Sequence, residues 1–415
     1  NGHCAHGKKG DKRMKVLVIG GGASGMFAAL TAAEDPHNQV TLLERQARVG
    51  RKLLATGNGR CNLTNVNAAP SRYHGGQGFP AAALERFSVE DTLAYFRSLG
   101  LLTSTDATGR VYPFSDQANS VLDVLRFAME RAGVNVVCGC EVTAISKKAR
   151  GYSAKTATEQ FYGDKVILAC GGMAGGKLGG SDLGYRLLKS LGHHITPLSP
   201  ALVQVRTETE AIRGLKGVRA DAGLVLKDGG DTVARGGGEI QFTDFGVSGI
   251  AIFELSRAVR PGQTLLLDLL RPWDSEALFA FFKARQAAFP ALPLEDFLTG
   301  ALHSRLGRAI LRQAGLELSR PAESLTEAEL TTLVRIAKHF PLPVLGTMGF
   351  DQAQVTAGGA DTREFRADTL ESRLCPGLFA SGELLDIDGD CGGFNLQWAW
   401  SSGRLAGRLG QKENL

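Results

Sequence analysis

The sequence predicts an α/β protein built on a Rossmann-type core. Three observations carry that reading. Residues 14–34, MKVLVIGGGASGMFAALTAAE, run from a β-branched strand through clustered glycines into an alanine-rich helix, and QVTLLE (39–44) follows as a second strand. From about residue 197 the texture becomes short apolar or alternating runs between Gly-rich turns, and from 273 to 340 it becomes amphipathic helices. After PLPVLG (341–346) the chain returns to strand and glycine. The organisation is a βαβ core, an interruption of two kinds, and a return.

Bulk properties bound the function classes. With 415 residues, 43% hydrophobic and 21% charged, the chain reads as an ordinary soluble globular protein large enough for two or three domains. A net charge of +5, with no dense Lys/Arg run, argues against a nucleic-acid footprint. No apolar run reaches the length of a membrane span. Seven scattered cysteines make no disulfide framework and fit a reducing cytoplasm. CGC (138–140) is not the CxxC of a redox site and reads as strand. The opening NGHCAHGKKGDKR lacks the apolar core of a signal peptide, and Met14 is a candidate natural start. His3, Cys4 and His6 have no fourth ligand nearby, so a disordered leader is expected there and no metal site.

KVLVI suits a central parallel strand. Segment 80–133 reads as helices, SVEDTLAYFRSLG and SVLDVLRFAMERAG having apolar spacing near 3.6, with GRVYPFSDQA (109–118) as a loop between them. VNVVCGCEVTAISK (134–147) and DKVILACGG (164–172) read as strands. LGYRLLKSLG (183–192) reads as a helix whose C-terminal end His193 and His194 cap. ALVQVRTE, GVRADAGLVL, GEIQFTDF and QTLLLDLL suggest an antiparallel sheet or small barrel. SEALFAFFKARQAAF, EDFLTGALHSRLGRAILRQAG and TEAELTTLVRIAKHF are amphipathic helices punctuated by Pro290, Pro293 and Pro321, and TEAE opens a capping box. AQVTAGG (353–359) and GLFASGE (377–383) return to strand.

The motifs permit specific chemistry. Gly20-x-Gly22-x-x-Gly25 stands between strand and helix: Gly20 for the tight turn, Gly22 for close approach of a pyrophosphate, Gly25 for helix–strand packing. Glu44 ends the second strand, where its carboxylate can accept from ribose hydroxyls and would repel a 2′-phosphate. A purely structural glycine turn is the alternative. The basic, glycine-rich RQARVGRKLLATGNGRCNLTN (45–65) follows. Its Arg48, Arg51, Lys52 and Arg60 could offset pyrophosphate charge, and its Asn58 and Asn62 supply amides. This fits FAD better than NAD; a solvated basic loop is the bland reading. In SGELLDIDGDCGGFNLQWAW (381–400), DIDGD resembles the start of a calcium loop. Cys391 stands where that loop needs glycine, and Gln397 where it needs glutamate, so calcium is not expected. Gly392, Gly393 and Phe394 instead open a helix whose free N–H groups point at something electron-rich.

GRKLLATGNGRCNLTN, GELLDIDGDCGGFNLQWAWSSG and VTAGG together resemble the bacterial flavoprotein family that includes aminoacetone oxidase and a bile-acid enone reductase, within the glutathione-reductase-like FAD group. The likeness covers Met14 to Gly407. It implies an FAD-binding Rossmann-type domain made of both chain ends (14–195 and 353–410), a β-barrel-like insertion (196–270, returning at 341–352) and a helical insertion (271–340). It implies that Gly20, Gly22, Ala23, Ser24 and Gly25 hold the pyrophosphate and Glu44 the adenosine ribose. Arg45, Arg51, Lys52, Thr56, Asn58, Cys61 and Asn62 would line the phosphate and flavin side. Val142 would meet adenine through its backbone, and Cys170 and Gly171 would form the turn after the next strand. Gly382 and Glu383 would form the second flavin fingerprint, where Asp is commoner than Glu. Gly393, Phe394, Asn395 and Leu396 would aim N–H groups at the pyrimidine edge of the flavin.

Departures from the family pattern are Asp244, where His is frequent, and Ile250, where Pro is frequent, so substrate choice does not carry over. No second GxGxxG marks a dedicated NAD(P)H domain, although NAD(P)H is a candidate donor. No CxxxxC pair accompanies the flavin. Cys61 reads as a packed thiol and Tyr112 as a loop-packing residue, with an acid near the substrate as the alternative for Tyr112; no catalytic acid or base is assigned. The expected function is an FAD-dependent oxidoreductase moving a hydride between flavin N5 and a small organic substrate: reduction of an activated C=C with NAD(P)H, or amine oxidation with oxygen. The runners-up are a tRNA-modifying flavoprotein and a non-catalytic flavin-binding protein. No nucleic-acid or membrane partner is expected, and the oligomeric state is open.

Overall fold

A computed structural model describes residues 13–411; the expectations for the leader, including His3, Cys4 and His6, lie outside the described residues. The chain divides into two compact units, one made of 13–199 with 355–411 and the other of 200–354.

The first unit opens with β1 (Met14–Ile19), whose last four residues are buried. A glycine turn leads into α1 (Ala23–Ala32), buried from Ser24 onward. β2 (Asn38–Glu44) pairs parallel with β1. After α2 (Arg51–Ala55), β3 (Thr64–Asn65) and β4 (Tyr73–Gly75) come α3 (Pro80–Arg86) and α4 (Val89–Ser98), the latter entered through a Ser88/Asp91 capping box. β5 (Thr103–Thr105) and β6 (Arg110–Pro113) precede α5 (Ala118–Arg131). Then come β7 (Asn135–Cys138), β8 (Ala144–Lys147), β9 (Tyr152–Lys155), β10 (Gln160–Gly163), β11 (Lys165–Leu168) and α6 (Leu183–Ser190).

In the second unit β12 (Val205–Thr207), β13 (Arg219–Asp228), β14 (Asp231–Phe242) and β15 (Gly246–Ser248) lead to α7 (Ile250–Leu255) and β16 (Thr264–Asp268). The helices α8 (Ser275–Ala288), α9 (Ser304–Gln313) and α10 (Glu327–Lys338) intervene before β17 (Phe340–Thr347). The six strands close into a barrel in the order β12-β15-β14-β13-β16-β17. The strand after the helices therefore completes the barrel, by pairing with β16 on one side and β12 on the other. Barrel and helices share one apolar core, in which Phe282, Phe297 and Leu333 pack with Leu265, Phe340 and Leu342. The expected capping box is present: the Thr326 hydroxyl accepts from Glu329 N–H, and the Glu329 carboxylate accepts from Thr326 N–H at 2.8 Å. Arg320 also holds that carboxylate, and the pair of contacts brings its pKa down to about 2.

The chain then returns to the first unit through β18 (Leu378–Ala380), β19 (Ile387–Gly389) and α11 (Phe394–Gly407). The main sheet is parallel, in the order β18-β11-β1-β2-β7.

Four local expectations need correction. EDFLTGALHSRLGRAILRQAG is not one helix: a single 3-10 turn at Leu294–Asp296 and further turns up to residue 303 precede α9. GRVYPFSDQA is not all loop: Arg110–Pro113 forms β6, the middle strand of a small antiparallel sheet with β3 and β5. VNVVCGCEVTAISK is not one strand. Gly139, with φ +69°, turns the chain out of the parallel sheet after β7, and Ala144–Lys147 joins β9 and β10 in a second sheet. His193 caps α6 only through its backbone: Gly192 is left-handed, with φ +92°, and His193 N–H reaches Leu188 O at 3.0 Å. The imidazole is buried elsewhere, between Glu364 (2.9 Å) and Ser372 (3.0 Å) and stacked on Phe365. Burial holds its pKa below the ordinary 6.5 against the pull of Glu364.

Candidate functional site

The chain runs from β1 to β2 and β7 on one side of the sheet, then crosses to β11 and β18 on the other. In such sheets the crevice beyond the carboxyl ends at that crossing takes the ligand. Gly20 leaves β1 at this point, with φ +111°, and its N–H reaches Leu43 O at 2.8 Å. A Cβ on Gly20 would collide with the Ala169 carbonyl, and one on Gly25 with the Gly20 carbonyl, so both glycines serve packing. Gly22 differs. Its backbone is extended, and no atom lies within 4 Å of where its Cβ would stand. It is also the N-cap of α1, and no side chain caps that helix start.

Gly382 meets this turn from the other chain end: a Cβ there would stand 2.6 Å from Ser24 Oγ. Cys170 and Gly171 sit beside Gly20, and Gly171 (φ +69°) also faces open space. Burial pushes the Cys170 thiol up to about 12, which makes it a packing group.

Glu44 is buried at the end of β2. One oxygen accepts from Gly21 N–H and the other from Gln46 N–H, each at 2.7 Å. A carboxylate has about four acceptor positions, so room remains for a donor diol. Val142 is buried two residues beyond Cys140, whose N–H bonds the Glu44 carbonyl at 2.9 Å.

Four of the basic residues find protein partners, whereas Arg48 is exposed. Arg45 donates to the carbonyls of Gly179 (2.8 Å) and Gly180 (3.2 Å), and Arg51 to Gln46 at 2.7 Å. Lys52 bridges to Glu383 at 2.8 Å, joining the two chain ends. The other Glu383 oxygen accepts from Thr356 N–H at 2.8 Å. Arg60 lies over the Tyr112 ring, 4.5 Å from its centroid.

Residues 56–62 form a tight turn with Gly57, Asn58, Gly59 and Cys61 all at positive φ. Cys61 N–H closes it on Thr56 O at 3.0 Å. Asn58 is exposed, and Cys61 is fully buried, with burial raising its thiol to about 12. Asn62 Oδ1 is buried without a hydrogen-bond partner among the described residues, a state that costs about 1–3 kcal/mol unless something fills it.

That oxygen lies at the start of α11, 2.8 Å from where a Gly393 Cβ would stand. Gly393 is left-handed (φ +99°), and no side chain caps the helix. Asn395 clasps Gly389 through both its N–H and its carbonyl, at 2.8 Å each. The Phe394 carbonyl accepts from Tyr73 OH at 3.0 Å. Trp398 donates to Gly382 O (3.0 Å), Trp400 to Leu63 O (2.8 Å), and Gln397 accepts from Thr64 (2.6 Å). One helix thus fixes both the 381–383 turn and the 61–65 segment. The acidic run before it is largely strand rather than open loop. Asp386 accepts from Thr196 at 3.0 Å, Asp388 is buried, and Asp390 binds Arg72 (3.1 Å) and His74 (2.8 Å).

The family described as HI0933-like protein Rossmann domain matches residues 14–409. The chain belongs to that family. It is 41% identical to the 3-dehydro-bile acid Δ(4,6)-reductase of Clostridium scindens, over 95% of this chain and 98% of the relative. It is 30% identical to the ribosomal RNA dihydrouridine synthase of Escherichia coli, over 94% of this chain and 96% of the relative. Among solved structures, the 3-ketosteroid Δ1-dehydrogenase of Sterolibacterium denitrificans superposes with a TM-score of 0.49 at 13% identity, covering 96% of this chain and 99% of that one.

This HI0933-like protein is an FAD-dependent oxidoreductase, and its residues fit that cofactor. The open face of Gly22, the orphaned Asn62 oxygen and two helix starts without side-chain caps all belong to the first unit. Sequence reasoning passed over Thr356, whose N–H holds Glu383 and whose hydroxyl accepts from Met173 and Ala174 N–H at 2.9 and 3.1 Å. It also passed over Ser381, buried with an unpartnered hydroxyl. VTAGG and SGE carry both, so the signal was the motif's other members. Asp244, exposed and paired with Lys216, and Ile250, exposed at the start of α7, lie in the second unit.

Proposed function

We propose that this flavoenzyme reduces a carbon–carbon double bond conjugated to a carbonyl in a small polycyclic molecule, with electrons from NAD(P)H, in the cytoplasm. The 41% identity over nearly both whole chains with a protein named for bile-acid enone reduction carries this reading. Dihydrouridine synthesis, the activity in the name of the 30% relative, also saturates a C=C conjugated to a carbonyl. The two names share a reaction type and differ in substrate, which favours reduction over the amine-oxidising direction. The modest net charge of +5 supports a small molecule over RNA.

When bound, the flavin supplies the two-electron carrier. The chain's own residues do the holding. Gly20, Gly22, Ala23, Ser24 and Gly25 present the α1 N-terminus to the pyrophosphate, and Glu44 accepts from the adenosine ribose. Asn58, Asn62 and the N–H groups of Phe394, Asn395 and Leu396 face the ring. The α11 dipole there stabilises added negative charge by about 0.3–1 kcal/mol or more. Lys52 and Glu383 neutralise each other and pin α2 to the 381–383 turn.

Anaerobic stopped-flow of the yellow holoprotein tests the reading. NADPH or NADH is expected to bleach the flavin band, and a 3-oxo-Δ4,6 bile acid to restore it. Bleaching by simple amines, with peroxide on admitting oxygen and no response to the enone, would overturn it; recolouring by ribosomal RNA in place of the enone would move the substrate to nucleic acid.

A further inference from the structure

We propose that Tyr112 is the Brønsted acid of this reaction: its hydroxyl delivers the proton that completes reduction of the double bond. The inference rests on the enone-reductase reading above and adds a catalytic residue to it.

Four tyrosines are buried: Tyr73, Tyr112, Tyr152 and Tyr185. Three of them donate their hydroxyls to backbone carbonyls, Tyr73 to Phe394 (3.0 Å), Tyr152 to Pro376 (2.8 Å) and Tyr185 to Glu383 (3.4 Å). Buried tyrosine hydroxyls normally find such partners. Tyr112, only 9% exposed, donates to no such carbonyl among the described residues, and its oxygen is not one of the buried polar atoms left without a partner, so the hydroxyl itself stays accessible.

Its place explains what the hydroxyl is kept for. Tyr112 lies on β6, and the neighbouring Val111 carbonyl accepts from Leu63 N–H at 2.7 Å, so the ring is fixed beside the 56–62 turn. A Cβ on Gly57 would stand 3.4 Å from Tyr112 Cε1 and 2.9 Å from Asn62 N. The Asn62 oxygen, buried without a partner, and the Tyr112 ring therefore belong to side chains packed on one glycine, at the wall assigned to the flavin ring. The Arg60 guanidinium over the ring offsets the negative charge the oxygen carries once its proton has left.

The other acids nearby are committed. Cys61 is buried, with its thiol raised to about 12. Glu383 is paired with Lys52, and Asp116 is exposed and lies 3.9 Å from Arg60.

The step balances. A hydride adds to the carbon remote from the carbonyl, and the electron pair of the double bond moves toward the carbon next to it. The phenol O–H bond breaks, its proton bonds to that second carbon, and the phenolate takes a proton from water. The substrate gains two electrons and two hydrogens: the reduced cofactor loses the two electrons and one hydrogen as hydride, and the other hydrogen comes from Tyr112, which water reprotonates.

The test uses full-length holoenzyme, wild type and Tyr112→Phe, reduced with dithionite and mixed without oxygen with a 3-oxo-Δ4,6 bile acid. The variant is expected to keep its FAD content and its rate of reoxidation by dioxygen. It is expected to lose about 100-fold or more in reoxidation by the enone, and the wild-type rate alone is expected to fall in D2O. Reoxidation by the enone within about threefold of wild type, or loss of FAD from the variant, overturns the assignment. If the wild type itself is not reoxidised by the enone, the reductase reading fails as well, a result distinct from an active wild type with an unaffected variant.

Discussion

Gly22 and Gly25 belong to one fingerprint, yet they answer to different forces. Nothing stands within 4 Å of a Cβ on Gly22, and its φ of −79° suits any residue. A Cβ on Gly25 would run into the Gly20 carbonyl. Gly22→Val is therefore expected to melt like the wild type without cofactor but to purify colourless, because the side chain would fill the space proposed for the pyrophosphate. Gly25→Ala is expected to cost roughly 1–3 kcal/mol of stability in urea unfolding even without FAD. Equal stability losses in the two variants would contradict this division. Both glycines were legible in the sequence because their spacing and their place between strand and helix are local facts. The Lys52–Glu383 bridge and the burial of His193 against Glu364 were not: their partners lie 331 and 171 residues away, and only the fold chooses them.

At the scale of elements, periodicity revealed what is long and single-faced. The capping box at Thr326 and the helices α8 and α10 could be read directly, since each fits its pattern over many residues, whereas only the second half of EDFLTGALHSRLGRAILRQAG is the helix α9. Short strands could not. β6 is four residues bounded by a glycine on one side and closed by its own proline, and β7 and β8 read as one strand until Gly139 turns the chain. The crossing of α1 and α11 was equally hidden, although it decides the site. A Cβ on Gly403 would collide with the Ser24 carbonyl, and one on Gly407 would stand 2.6 Å from the Ala28 carbonyl, so the two backbones approach through glycine. α11 also holds the 381–383 turn and the 61–65 segment. Gly403→Ala is expected to push the helices apart, at a cost of roughly 1–3 kcal/mol, and to weaken FAD binding. Thr326→Ala, which removes a cap in the second unit, is expected to cost about 1 kcal/mol and leave FAD affinity unchanged. Urea unfolding with and without FAD separates the two outcomes; equal effects on FAD binding would count against α11 as the element that sets the site.

For the whole molecule, every residue assigned to the cofactor lies in the unit made of 13–199 and 355–411. That unit is broken in sequence by 155 residues, 200–354, which have an apolar core of their own. The two ends of the break are held together within the first unit: Ile195 bridges Ala360 antiparallel, and Thr196 N–H reaches Gly359 O at 2.9 Å. The texture changes near 197 and 345 could be read from the sequence because an antiparallel barrel and a parallel sheet require different strand patterns. That the two chain ends share one core followed only from the family resemblance and not from strand pattern, since it rests on β18 pairing with β11 across more than two hundred residues. Excising 200–354 and joining 199 to 355 through a short Gly/Ser linker is therefore expected to leave a folded, yellow protein with about one FAD per chain and no enone turnover. The linker spans ends that the structure already brings together, so loop closure adds only a small entropic cost. A far-UV spectrum with native-like helix and strand, combined with no bound flavin, would show that the cofactor needs the second unit; FAD retention with full turnover would show that the barrel and its helices take no part in the chemistry.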